Sequence, residues 1–164
     1  MIRIALLSDT HGYLDERFIK YLGACDEIWH AGDLGTSDVA DQLASLKPLR
    51  AVYGNIDGQP LRLQFPVDQR FMLEDVTVWI RHIGGYPGHY EKSVREILHA
   101  DPPKLFITGH SHILRIQYDK QFQLLHVNPG AAGKYGFHTV QTLVKFIIDT
   151  GRIRDMEVVE LTRK

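Results

Sequence analysis

The sequence predicts a mixed α/β domain with two packed sheets, on three observations. Short apolar runs alternate with amphipathic stretches along the front of the chain. The back turns strand-rich, and no repeat, low-complexity tract or Pro/Gly/Ser linker divides the whole. Strand–helix–strand–helix–strand order implies parallel pairing through crossover helices, and the meander behind it implies antiparallel pairing. Residues 1–164 are therefore read as a single domain, long enough for one sizeable core.

Ile2–Leu7 is an apolar run ending in Ser-Asp-Thr-His-Gly, a buried strand feeding a loop. Leu14–Leu22 carries Leu14, Phe18, Ile19, Tyr21 and Leu22 at mostly helical spacing and reads as an amphipathic helix. Glu27–Trp29 is a second strand, running into His30-Ala31-Gly32-Asp33. Asp38–Leu46 is helical, with Pro48 just beyond to stop it. Ala51–Tyr53 is a third strand, broken by Gly54-Asn55. Arg62–Pro66, Phe71–Leu73 and Val76–Ile80 are β-rich, with Glu74-Asp75 as a hairpin turn. Ser93–Ala100 returns to helix, Ser93 standing as N-cap and Glu96 at the capping-box position. Leu105–Thr108 is another buried strand, and Ile113–Tyr118, Gln123–Val127, Thr139–Ile148 and Ile153–Leu161 complete the strand-rich end.

Nineteen basic against 20 acidic residues leave a net charge of -1, without the basic stripe of a dedicated nucleic-acid binder. The single cysteine, Cys25, closes no internal disulfide and reads as a small buried apolar residue. The first apolar run is too short for a signal peptide's core, and no stretch nears the roughly 18 apolar residues of a membrane span. A cytoplasmic protein without membrane attachment is the expectation. The pattern does not separate an interface from a core, so a homo-oligomer stays open.

Nine histidines are the unusual feature, since imidazole is the commonest metal ligand. Metal-type residues recur just after apolar runs, in Gly-containing loops: Asp9 and His11, Asp33, Asn55, His82, then His110 and His112. In open α/β sheets ligand sites gather outside the carboxyl ends of strands, so these seven converge on one rim. Imidazole, carboxylate and amide oxygen together suit divalent Mn, Fe, Zn, Ni or Co better than calcium. Seven exceed what one ion takes with open positions left, and two ions sharing a carboxylate use them well.

In this order the residues resemble the calcineurin-like metallophosphoesterase superfamily, whose signature is D-x-H, G-D, G-N-x-D/E, a lone H and G-H-x-H. The chain supplies Asp9-Thr10-His11, Gly32-Asp33, Gly54-Asn55-Ile56-Asp57, His82 and Gly109-His110-Ser111-His112. Asn128-Pro129-Gly130 extends the likeness to the small bacterial and archaeal phosphodiesterase branch. The resemblance implies a four-layer α/β/β/α sandwich with two mixed sheets and a dinuclear centre. It implies that Asp9, His11 and His112 hold one divalent ion, that Asn55, His82 and His110 hold the other, and that Asp33 bridges them. A bridging hydroxide would attack phosphorus in line with the leaving oxygen, making Asp33, Asn55 and His82 catalytic. The implied substrate is a small phosphodiester or phosphomonoester, with manganese the leading metal. A catalytically silent scaffold, like the retromer subunit that keeps this fold, is the alternative; a filled ligand set favours the enzyme.

One departure matters: Ile56 stands where many members place a proton-donating histidine, and loss of a general acid costs roughly 10²–10⁴ in rate. His89 is a substitute acid and the rival to His82 for the fourth motif, with His82 favoured because it follows a strand directly. His138 and Lys134 are weaker substrate contacts. His30 reads as packing at a strand end, with orientation of a ligand as its alternative, His99 as a surface residue, and His126, Tyr86 and Tyr90 as structural.

Overall fold

Alternation along β1 (Ile2–Leu7) sets the layering of the fold. Ile4 and Leu6 point into a core shared with Trp29, Val78, Ile107 and Val127. Ala5 and Leu7 point the other way, onto Phe18, Leu22, Val39 and Leu43. The structure is a computed structural model and describes residues 1–163.

The first sheet runs β10 (Arg152–Thr162), β9 (Val140–Asp149), β1, β2 (Glu27–His30), β3 (Leu49–Ala51). The second runs β4 (Asp68–Leu73), β5 (Val76–Arg81), β6 (Leu105–Ile107), β8 (Leu124–Asn128), β7 (Arg115–Asp119). Parallel pairing joins β1 to β2 and β2 to β3, and β6 to both β5 and β8. β9, β10, β4 and β7 pair antiparallel, so both sheets are mixed.

Helices cover both outer faces. α1 (Ile19–Gly23) and α2 (Ser37–Leu46) bury Leu22, Val39 and Leu43 on the first sheet. α4 (Lys92–Ala100) buries Val94 and Leu98 against Trp79, Phe106 and Leu124 of the second. The result is the α/β/β/α sandwich. No helix among the described residues is long and apolar enough to cross a membrane.

Several expected elements differ. Arg62–Pro66 is not a strand; the segment forms α3 (Gln59–Gln64), started by Pro60 in its first turn. Leu61 alone turns inward from it, onto Leu34, Ala40 and Ala51, so a single buried contact replaced the alternation of a strand. The third strand is Leu49–Ala51 rather than Ala51–Tyr53, because register with Ile28–His30 begins as soon as Pro48 has ended α2. Leu14–Leu22 divides into a 3-10 turn (Glu16–Phe18) and α1, since the Asp15 side chain accepts from Arg17 N–H and caps the turn first. α4 starts at Lys92 with Glu91 as N-cap and no side-chain cap bond, so Ser93 lies inside the helix. The Glu74-Asp75 hairpin turn is present, both residues left-handed at φ 48° and 65°.

Candidate metal centre

Parallel strands deliver their carboxyl ends to one rim. Just past β1 stand Asp9 and His11; past β2, Asp33; past β3, Asn55; past β5, His82; past β6, His110 and His112. Two groups form there that could each hold an ion, Asp9–His11–His112 and Asp33–His82–His110, with candidate ligand atoms within 4.8 Å of one another in each.

In the first group Asp9 Oδ1 lies 3.2 Å from His112 Nε2 and 3.7 Å from His11 Nε2. In the second, His82 Nε2 lies 3.1 Å from Asp33 Oδ2. Asn55 Oδ1 joins it, 3.1 Å from His82 Nε2 and 3.0 Å from His110 Nδ1. Asp33 Oδ2 is also 3.5 Å from His11 Nε2, so one carboxylate oxygen reaches both groups.

The loops adopt costly backbone conformations to do this. Asp9, His11, Asp33, His110 and His112 all have positive φ, between 47° and 71°. Left-handed backbone costs about 1–2 kcal/mol per non-glycine residue, and Asp and His tolerate it better than most. Main-chain bonds hold the loops side by side: Asp9 N–H to Gly32 O at 3.0 Å, His11 N–H to Asp33 O at 3.0 Å, Gly12 N–H to Leu34 O at 2.8 Å. A Cβ at Gly54 would sit 2.0 Å from Asp33 Oδ1, so only glycine admits that carboxylate.

Side chains behind the rim aim the ligand atoms. His82 Nδ1 donates to Ala31 O at 2.7 Å, which turns Nε2 toward Asp33. Asp9 Oδ2 accepts from Ser8 Oγ at 2.6 Å and from His110 N–H at 3.1 Å. Asp57 accepts from Leu34, Gly35 and Gly54 N–H and clamps the second and third loops together. Gly32 N–H donates to His30 Nδ1, so the His30 proton sits on Nε2, 3.0 Å from Thr10 Oγ1. Thr10 Oγ1 in turn donates to Leu34 O. Asn128 Nδ2 holds Gly109 O at 2.9 Å and steadies the last loop.

The electrostatics favour a cation. Burial works against a charged Asp9, but His11, His112, His82 and Ser8 outweigh it and hold the carboxyl well below the usual range. Asp9, with Asp33, raises His11. His82 is raised despite its burial by Asp33 and Asp9. His30, fully buried, is pushed down to about 3 and stays neutral. Asp9 Oδ1 and His11 Nε2 are buried without a hydrogen-bond partner, an expensive arrangement unless something positive meets them. Carboxylate, imidazole and amide donors around two orphaned atoms fit divalent metal ions.

The remaining candidates lie farther out. His89 is exposed and packs its ring on Tyr86 at 4.8 Å, outside both groups. His138 donates from Nε2 to Gly133 O at 2.7 Å, its ring 5.4 Å from that of His112. Lys134 Nζ lies over the Tyr13 ring at 4.3 Å. His126 is buried on Thr108 Oγ1, and Tyr90 donates to Asp119. His99 packs edge-on to Phe122 at 4.9 Å. The part played by Ser8 was not expected, although its place beside Asp9 is a usable signal; Arg62 gave none, in a segment read as strand.

A two-sheet sandwich with two carboxylate–histidine groups at its strand ends defines a fold with candidate metal sites on one rim. The calcineurin-like phosphoesterase superfamily domain matches residues 2–151, and the chain belongs to that family. A probable metallophosphoesterase of Methanothermobacter thermautotrophicus is 30% identical over 136 residues, 78% of this chain and 76% of that one. Among solved structures the chain is similar to wild-type Vps29 of Entamoeba histolytica complexed with zinc: TM-score 0.77, 15% identity, 98% of this chain and 99% of that one. It is also similar to an archaeal phosphodiesterase: TM-score 0.75, 21% identity, 96% of this chain and 100% of that one.

Proposed function

We propose that this metallophosphoesterase is a phosphodiesterase working through two divalent metal ions, manganese first among them. The observation that carries the reading is Asp33 Oδ2, within 3.5 Å of His11 and 3.1 Å of His82, a carboxylate placed to serve both groups. Asp9, His11 and His112 would hold one ion, Asn55, His82 and His110 the other, with Asp33 shared. Ions bound there would supply Lewis-acid stabilisation of phosphoryl charge and lower the pKa of water.

The chain's own part is positioning. His82, fixed by Ala31 O, and Asn55, shared between His82 and His110, set the second group's geometry. Ile56 contributes its N–H to Asp33 Oδ1 at 3.0 Å but no side-chain proton for a leaving group. Small phosphodiesters and phosphomonoesters with good leaving groups are therefore the substrates best suited. His89, His138 and Lys134 remain candidate substrate contacts, His138 best placed of the three. A scaffold role is the second reading, favoured by the exposed Ile56, Ile83, Ile113 and Phe137 and by the likeness to Vps29.

The test is hydrolysis of bis-p-nitrophenyl phosphate by metal-stripped protein titrated with manganese, with Asp33→Ala and His82→Ala alongside. Activity that requires metal and is lost in both variants supports the reading. Tight binding of two ions without turnover favours the scaffold, and a wild type that binds no metal overturns the proposal.

A further inference from the structure

Beside the second group opens a cavity of about 390 Å³, lined among others by Tyr53, Asn55, Arg62, Arg81, His82 and Ile83. That is the size of a small-molecule site. Asn55 and His82 are members of the group itself, so the cavity continues from the centre rather than standing apart from it.

Its cations differ in state. Arg81 is paired with Asp68 at 2.9 Å. Arg62, exposed on α3, has no carboxylate within salt-bridge distance among the described residues, and Glu91 on the cavity wall does not reach it. The guanidinium is nonetheless held in place. Nε donates to Asp57 O at 2.6 Å, Nη2 donates to Asn55 O at 3.3 Å, and the plane lies over the Tyr53 ring at 4.6 Å. Arginine carries five N–H donors, so these bonds leave several to spare. An immobilised, uncompensated guanidinium in a cavity is suited to bidentate recognition of a phosphate.

We propose that this cavity is a second phosphate subsite. It takes a phosphate carried on the alcohol part of the ester being hydrolysed, with Arg62 as its contact and Tyr53 and Ile83 against the carbon skeleton. The substrate class is thus a phosphate ester bearing another phosphate, as in a nucleoside bisphosphate derivative. This rests on the neighbouring groups being the hydrolytic centre. The rival role for Arg62 is purely structural, a clip on the Asn55 and Asp57 carbonyls.

The test compares two esters that differ by one phosphate, thymidine 5′-(p-nitrophenyl phosphate) and its 3′-phosphorylated counterpart, on manganese-loaded protein. The wild type is expected to show a KM about tenfold or more lower for the 3′-phosphorylated ester. Arg62→Gln brings the ratio of the two KM values close to one, and Arg62→Lys keeps part of it. A clip for the loop would shift both KM values together and leave their ratio intact. Equal KM values in the wild type, or a ratio preserved in Arg62→Gln, overturn the proposal. If neither ester is hydrolysed, the hydrolytic reading fails on its own, and calorimetry decides the subsite. Thymidine 3′,5′-bisphosphate binding more tightly than thymidine 5′-phosphate, with the difference lost in Arg62→Gln, upholds it; equal binding overturns it.

Discussion

His30 Nε2 and Thr10 Oγ1 meet at 3.0 Å in a site with no exposure, joining the loop after β1 to the loop after β2. Because Gly32 N–H occupies Nδ1, the ring can only donate toward Thr10, and the hydroxyl passes its own proton to Leu34 O. Replacing the ring with an apolar side chain leaves the Gly32 N–H buried without an acceptor and the Thr10 oxygen without its donor, while the hydroxyl keeps its bond to Leu34 O. His30→Leu is expected to lose about 1–3 kcal/mol in urea unfolding and to weaken manganese binding roughly 10–100-fold. Unaltered metal affinity would assign His30 to packing alone.

His126, which belongs to neither candidate ion group, offers a pH dependence. It is fully buried, bonded to Thr108, and burial lowers its pKa to about 4, with Arg115 adding to the effect. The unfolded chain takes up this proton near pH 6.5, so between those values the unfolded state binds more protons. Stability contributed by neutral His126 is full above about pH 6.5 and falls as pH drops toward 4, by about 3 kcal/mol across the window. His126→Gln should flatten that part of a urea-midpoint-versus-pH curve; an unchanged slope contradicts it.

Gly54 and Gly58 make a matched pair four residues apart. A Cβ at Gly54 would collide with Asp33 Oδ1 and its backbone nitrogen, whereas at Gly58 the nearest atom is Pro60 Cδ at 3.9 Å. Gly54→Ala is expected to cut metal-dependent hydrolysis by about 10²-fold or more by displacing Asp33. Gly58→Ala, at the N-cap of α3, should cost no more than about 1 kcal/mol and stay within about twofold in rate. Equal effects on activity would remove the steric argument.

Ile56 is 46% exposed beside the centre, so a larger polar side chain fits there without repacking. Ile56→His is expected to raise turnover of alkyl phosphodiesters roughly tenfold or more while changing aryl esters little, because only poor leaving groups need a proton. A parallel gain on both ester types would point to binding instead.

Much of the rim was legible because each chemistry-bearing residue follows an apolar run directly: Asp9 after Ile2–Leu7, His82 after Val76–Arg81, His110 after Leu105–Ile107. Strand ends are local features, and parallel sheets then gather them. Period failed where one residue decides an element, as Leu61 does in α3. The Ser93 cap failed because α4 starts at Lys92 with Glu91 as N-cap, and the first amphipathic run was divided by Asp15, whose side chain caps a 3-10 turn ahead of α1. The cross-loop bonds of Asp57 and His30 were not legible, since Leu34, Gly35 and Thr10 lie in other loops.

Five of the seven rim residues sit in left-handed backbone, and that strain is carried whether or not the rim does any chemistry. Exchanging His112 for glycine would erase a donor and relax the loop in one step, leaving a variant expected to melt higher than His112→Ala. The centre is thus thermodynamically a burden on its own scaffold. A descendant that stopped using it would gain robustness by losing it, and the sandwich would persist as a surface for other purposes.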